Sequence, residues 1–478
     1  MRVALALSVL FGFFAVLLGL IGGLVWLVVY AFASGHGGAA AVKLGFVAAV
    51  LALAIGRAVF VAVRIRQEPA GVPLTREAQP ELWRVVDGLA AVAGTRAPDD
   101  IRLIPEVNAA VWERTSLLGL RAGERHLVIG MPLLAGLAVG ELRSVLAHEL
   151  GHYGGGHTKL SALTYRAKNA LQLTVANLTG ALGWLFGHYA RFYAVVAASA
   201  NRAQELHADE ASVAAAGRDT AQSALRKLGP LSVAWAHFER EFLALVPDAE
   251  RTPPVLAGFR TFLGDVRVGE QLGEIGVRLL DEEPESVFDS HPPIRERIAA
   301  MDGMDAAGAT ADDRPSWVLL AGVPDLEREL VRDFGPAADW PEVVARAHAV
   351  RVERMGRMLA DAARAGGTAE HGTPDEVLRA LGRGELLRIG EPLIAAGAPA
   401  DQLVAAVTQL LGGAVVAELL CTGRASFALD WTGDPKVVLA DGTELDPDEL
   451  VGPAVADPRE AEGVRLRVAS LCDRTLTD

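Results

Sequence analysis

The sequence predicts a mainly α-helical protein with a small β-sheet. A transmembrane helical hairpin is expected ahead of this body, and an additional α/β region after it. Three observations carry that expectation. Long uncharged apolar runs open the chain. Apolar residues then recur at helical spacing through most of the middle, with extended stretches only between about 100 and 130. A Gly-, Ala- and Asp-rich segment at 302–316 ends the pattern before a new one begins. The expected domains are therefore 1–66, 67–301 and 317–478. With 478 residues, 51% of them hydrophobic, the chain can build more than one packed unit. A net charge of −14 argues against a nucleic-acid partner, which would need a basic surface. Cys421 and Cys472 are the only cysteines, so no disulfide framework is encoded and any metal must rely on His and carboxylates.

The first apolar run extends from Val3 to Phe32 without a charged residue, and a second from Leu44 to Val63 holds only Arg57. About 20 apolar residues cross a bilayer, so each run is long enough to span, and the first is too long for a signal peptide. Arg2 precedes the hairpin and Arg57, Arg64 and Arg66 lie near its exit, whereas the connecting loop offers only Lys43. This places both ends in the cytoplasm, with a multi-pass chain in the plasma membrane, lipid as a partner and the following domain on the cytoplasmic side.

After the hairpin, Leu82, Val85, Val86, Leu89 and Val92 mark an amphipathic helix. DIRLIPEVNAAVWER reads as extended structure, RHLVIGMPLLAGL as a strand passing into a helix, and GELRSVLAHELGH as a helix stopped by glycines. From Thr158 to Ala216 the pattern is helical and Ala-rich. Its apolar part at 170–200 carries Asn177, His188 and Arg191, which suits a buried or membrane-apposed helix. Beyond residue 317, WPEVVARAHAVRVERMGRMLADAARAG is a helix, and ASFALDWTGDPKVVLADGTELD reads as strands joined by tight turns. The apolar stripes of this region read as core.

Chemistry concentrates in VLAHELGHYGGGH, Val145 to His157. His148 and His152 are four apart, so on a helix their imidazoles share one face and can hold one zinc ion. Glu149 sits beside the first of them, where its carboxylate can take a proton from a zinc-bound water and pass one to a leaving amine. This is the H-E-x-x-H arrangement of zinc hydrolases. The plainer reading is three polar residues on an exposed helix.

Zinc needs a third protein ligand and one open position. His157 lies nine residues after His148 and suits a surface position better. In NRAQELHADEASVAAAG, Glu205 and Asp209 are four apart on one helical face. Glu205 can ligate zinc while Asp209 accepts a hydrogen bond from a ligand imidazole. A solvated acidic face is the rival, but the Ala-rich surroundings look buried. His207 points elsewhere on the same helix.

NAAVW from Asn108, HELGH from His148, NRAQELHAD from Asn201 and HPPIRERI from His291 occur in this order. Over about residues 70 to 300 the chain resembles the membrane-bound zinc metallopeptidases that include the HtpX heat-shock proteases and the CAAX prenyl proteases. The resemblance implies a zincin-type catalytic domain with His148, His152 and Glu205 as ligands of one zinc ion and Glu149 as general base. It also implies that Asn108 and Ala109 lie on an edge strand beside the cleft, where a substrate adds as an extended strand. It places His291 near the metal. The two prolines after His291 hold it at a helix start, so its imidazole can supply an oxyanion donor. The region after 317 has no counterpart in that family.

The sequence thus reads as a membrane-anchored zinc endopeptidase acting on protein or peptide substrates, membrane proteins among them. Its main rival is a catalytically silent membrane-anchored zinc-binding scaffold or regulator. An intact Glu149 argues against that rival, because a structural zinc site needs no base and is closed by a fourth ligand. A prenyl-protein processing enzyme would need a multi-span chamber that this chain is too sparsely apolar to build.

Overall fold

A computed structural model describes residues 70–116, 121–154, 180–283, 292–306, 311–330, 334–393 and 399–472, with scattered residues between 12 and 53. Most of the expected hairpin, residues 1–66, lies outside the described residues. Those described there are helical, Val25–Tyr30 among them, and Trp26, Phe46 and Leu53 are 63%, 72% and 74% exposed. A Cβ at Gly45 would lie 3.7 Å from Val28 Cγ1, so the two apolar runs meet at this point. The described chain is mainly helical with two small sheets, and it divides into two compact units. One is Met1–Ala234 with Gln271–Val331; the other is Trp235–Glu270 with Arg332–Asp478.

The first unit is built on a four-stranded sheet of order β1-β2-β4-β3, from β1 (Val72–Pro73), β2 (Asp100–Ile104), β3 (Ala109–Ser116) and β4 (Arg121–Gly130). β2 and β4 run parallel with Asp100 opposite His126. β3 runs antiparallel to β4 with Ala109 opposite Ile129, which makes β3 an edge strand. Because side chains alternate along a strand, Ile101, Leu103, Val111, Leu127 and Ile129 share one face, and each is at most 2% exposed. Helix α1 (Pro80–Val92) buries Leu82, Val86 and Leu89, and a short α2 (Met131–Gly136) follows β4. Helix α3 (Val139–Gly151) buries Leu142, Leu146 and Leu150 and contacts both α1 and β3.

Helix α3 starts where Glu141 turns back to accept the Ala138 N–H at 2.9 Å, satisfying a donor the helix itself cannot. Two residues of the expected linker also meet this end: Arg314 O accepts from Val139 N–H at 2.7 Å, and Asp312 O from Gly140 N–H at 2.8 Å. Helix α4 (Gly180–Ala216) packs along α3 through its C-terminal half. In its N-terminal half Trp184 and Phe192 are 68% and 56% exposed, so this part is not a buried helix at those positions.

Helices α5 (Arg218–Glu241), α6 (Val255–Leu263) and α7 (Val266–Asp281) follow, then α8 (Ile294–Met301), which packs on α4. In the second unit, α9 (Trp340–Ala365) starts at Asp339, whose side chain accepts from Glu342 N–H at 2.9 Å. Its Trp340 ring joins Phe238, Phe242, Phe259, Phe262 and Trp431 in an aromatic core, with Phe238–Trp340 centroids 5.2 Å apart. Helix α10 (Pro374–Gly382) and helix α11 (Ala400–Cys421) build a further apolar cluster with Val377, Leu381, Val407, Leu411 and Val415. Among the described residues, only Asp401–Cys421 is long and apolar enough to cross a membrane. It is 56% buried in that window, as a core helix would be. Strands β5 (Ala425–Ala428), β6 (Lys436–Leu439) and β7 (Glu444–Leu445) form the expected antiparallel turn-linked sheet.

Candidate metal centre

The centre is made by the contact of α3 with α4. On α3, Ser144, Ala147, His148 and Gly151 follow the i, i+3, i+4, i+7 pattern of one face, and on α4 Glu205, Ala208, Asp209 and Ser212 repeat it. Ser144 and Ser212 hydroxyls lie 2.6 Å apart, and Ser212 also donates to Ser144 O at 3.0 Å, which sets the register of the two helices. Two turns further along α3, Gly151 lets them close. A Cβ there would stand 2.9 Å from Ala208 Cα, so a larger residue would force the backbones apart just beside the ligands.

At this register His148, His152 and Glu205 converge, and one ligand atom from each lies within 4.8 Å of the others. His148 Nε2 is 3.5 Å from Glu205 Oε2, and His152 Nε2 is 3.8 Å from Glu205 Oε1. A tetrahedral zinc with bonds near 2 Å holds its ligand atoms roughly 3.3 Å apart, so this donor set of two imidazoles and a carboxylate suits the ion once the side chains close in from separations of up to 4.8 Å. The three side chains are each under a tenth exposed. Glu149 is half-buried on α3, one residue on from His148.

Asp209, fully buried, supports the first imidazole: its Oδ1 is 3.0 Å from His148 Nδ1. That bond leaves Nε2 as the nitrogen turned toward Glu205. Asp209 is held in turn by Arg297 on α8, which donates from Nη2 to Oδ1 at 2.6 Å and from Nε to Oδ2 at 3.0 Å. Burial opposes charge on all three groups, but their mutual hydrogen bonds prevail. The Asp209 carboxyl is held below its ordinary value by His148 and Arg297. Asp209 and Glu205 raise His148 to about 9 in the metal-free protein.

Asn108 is exposed just ahead of β3, and Ala109 is the first residue of that strand, so both stand on a sheet edge. His207 is exposed and pairs with Glu210 at 3.0 Å, away from the centre. His157 and His291 lie outside the described residues, although Pro292, Pro293 and α8 follow the latter directly.

Two contributors escaped the sequence reading. Arg297 lies four residues before the buried Met301, on the inward side of α8. A guanidinium there demands a buried carboxylate, but no local pattern names Asp209, 88 positions away, as that partner. Tyr153, next to the second histidine, donates from its hydroxyl to Val111 O at 3.2 Å. No local pattern announces that bond.

Comparison with known proteins adds one finding. Residues 77–305 match the family model described as peptidase family M48, over nearly the segment in which the motifs carry the resemblance. No curated protein and no solved structure matches the chain.

Proposed function

Because residues 77–305 match the model of peptidase family M48, we propose that this chain is a membrane-anchored zinc endopeptidase with Glu149 as its general base. The observation that carries the reading is the convergence of His148, His152 and Glu205 within 4.8 Å, with Glu149 one residue from the first. One zinc ion per chain would be held by those three ligands. When bound, zinc supplies a Lewis acid that acidifies water and polarises a carbonyl. Glu149 accepts the proton of the attacking water and delivers it to the leaving amine. Asp209 fixes the His148 tautomer that presents Nε2, and Arg297 keeps Asp209 ionised and in place. Asn108 and Ala109 receive the substrate as an added strand, and His291 donates to the developing oxyanion.

The ligands, Glu149, Asp209 and Arg297 all lie in the unit of Met1–Ala234 with Gln271–Val331, so the catalytic domain expected at 67–301 gives up residues 235–270 to the unit that holds 332–478. The N-terminal hairpin anchors the chain in the plasma membrane with the catalytic domain on the cytoplasmic side. Exposed Trp26, Phe46 and Leu53 support that reading, since large apolar groups in water are costly. Substrates are proteins or peptides, including those of the same membrane.

Two variants separate base from ligand. Glu149→Gln should keep one zinc per chain and lose casein cleavage, whereas Glu205→Ala should lose zinc affinity and cleavage together. Retained cleavage in the metal-loaded Glu149→Gln chain would remove the assignment.

A further inference from the structure

The outer edge of β3 is shorter than its length suggests. Gly130 donates to Asn108 O at 2.7 Å while the Asn108 N–H turns back to Glu106 O at 2.9 Å, so 108 and 130 stand at the hydrogen-bonding phase of the antiparallel ladder that continues through Ala109 opposite Ile129. Hydrogen-bonded pairs alternate, so Ala110 and Trp112 also turn their polar groups toward β4. Ala109 and Val111 therefore present their N–H and C=O groups away from the sheet, where an added strand would pair. The Val111 carbonyl already accepts from the Tyr153 hydroxyl, and Val111 is 2% exposed while Ala109 is partly open.

Tyr153 is fixed there from several sides. It is 7% exposed, and the Arg125 guanidinium lies 4.6 Å from its ring centroid. Arg125 is anchored by Glu113 at 2.7 Å and by Thr95 Oγ1 at 2.8 Å. Just beyond, Gly154 passes so close to Ala93 that a Cβ would fall 1.9 Å from its carbonyl oxygen. The phenol cannot swing aside without breaking these contacts.

We infer that Tyr153 is a specificity-determining residue that withdraws the Val111 carbonyl from main-chain recognition along β3, leaving Ala109 to both donate and accept. The inference rests on the peptidase reading above. A peptide adding antiparallel to β3 exchanges two hydrogen bonds with Ala109 through one of its residues. The peptide residue two places nearer its own N-terminus faces Val111, whose carbonyl is taken. That position needs no N–H, so the site accepts proline or an N-alkylated residue there, and substrates that are extended over only a short stretch.

An N-methyl scan along a fluorogenic peptide substrate reads these donors one by one. With the zinc-loaded wild-type chain, one position should lose kcat/KM on the order of tenfold, and the position two residues N-terminal to it under about twofold. In Tyr153→Ala that second position becomes sensitive as the Val111 carbonyl opens. The wild-type scan decides by itself if this variant does not fold. Two sensitive positions spaced by two in the wild-type chain, or none, would overturn the inference while leaving the peptidase reading intact. Absence of any peptide cleavage by the zinc-loaded chain would overturn both.

Discussion

Arg297 grips Asp209 through two hydrogen bonds, Nη2 to Oδ1 at 2.6 Å and Nε to Oδ2 at 3.0 Å, with both side chains buried. The same Oδ1 lies 3.0 Å from His148 Nδ1. Three helices are thereby connected through one carboxylate: α8 by the arginine, α4 by the aspartate and α3 by the histidine. Taking an ion pair out of water is costly, so the arrangement holds only while every partner is present.

Arg297→Met removes one partner and strands a buried carboxylate. The expected loss of stability is on the order of 3–5 kcal/mol, with a zinc affinity lower by roughly 10–100-fold in whatever fraction folds. Arg297→Lys keeps the charge but not the two-pronged geometry, and should fall between the two. Thermal melts and zinc titration against a competing chelator measure both effects. Wild-type zinc affinity in Arg297→Met would show that the arginine does not act on the centre.

Zinc binding should release a proton. In the metal-free chain burial disfavours charge on His148, yet Asp209 and Glu205 raise its pKa from 6.5 to about 9. The folded form thus binds this proton more tightly than the unfolded form. The resulting stability is complete below pH 6.5 and is lost as pH rises through about 9. Zinc must displace the same proton. Calorimetry in two buffers of different ionisation enthalpy at pH 7.5 should show about one proton released per zinc. The melting temperature of the metal-free chain should decline between pH 6.5 and 9.5. A flat profile with no proton release would contradict the His148–Asp209 bond.

Gly151→Ala sets two effects against each other. Alanine is the better helix former by about 1 kcal/mol. Its Cβ, however, would meet Ala208 Cα at 2.9 Å, and a backbone atom cannot turn away as a side chain can. Overpacking of this kind costs about 1–3 kcal/mol, so net destabilisation is expected, with weaker zinc binding as Glu205 is pushed from the histidines. Increased stability with unchanged zinc affinity would mean that the helices do not meet at this point.

Membrane topology can be read by cysteine labelling after Cys421 and Cys472 are replaced. A cysteine introduced at Gly37 should react with an impermeant maleimide added outside intact cells, and one at Glu124 only after lysis. Glu124 is exposed in the catalytic unit, so failure to react from outside would reflect sidedness rather than burial. Labelling of Glu124→Cys in intact cells would place the catalytic domain on the opposite face.

Much of the centre was legible because its parts are local. His148 with His152, and Glu205 with Asp209, are each one helical turn apart, and turn spacing alone puts each pair on one face. The strands around NAAVW and RHLVIG were visible for the same reason, through alternation and β-branched residues. Arg297 and Tyr153 were not, because their bonds join residues 88 and 42 positions apart. The discontinuous second unit was hidden too. Residues 235–270 show the same helical spacing whether they pack with the first unit or with 332–478.

The sequence by itself determined which residue types stand ready for zinc and base chemistry, which segments coil and which extend, and which face of each is apolar. Only the tertiary structure decided that α3 and α4 meet at Gly151, that β3 lies at the sheet edge, that Arg297 closes on Asp209, and that Tyr153 covers Val111. Periodicity encodes the face an element must bury, since burial follows from the geometry of a single helix or strand. The partner of that face depends on shape and hydrogen-bond satisfaction between distant segments, which no local pattern contains.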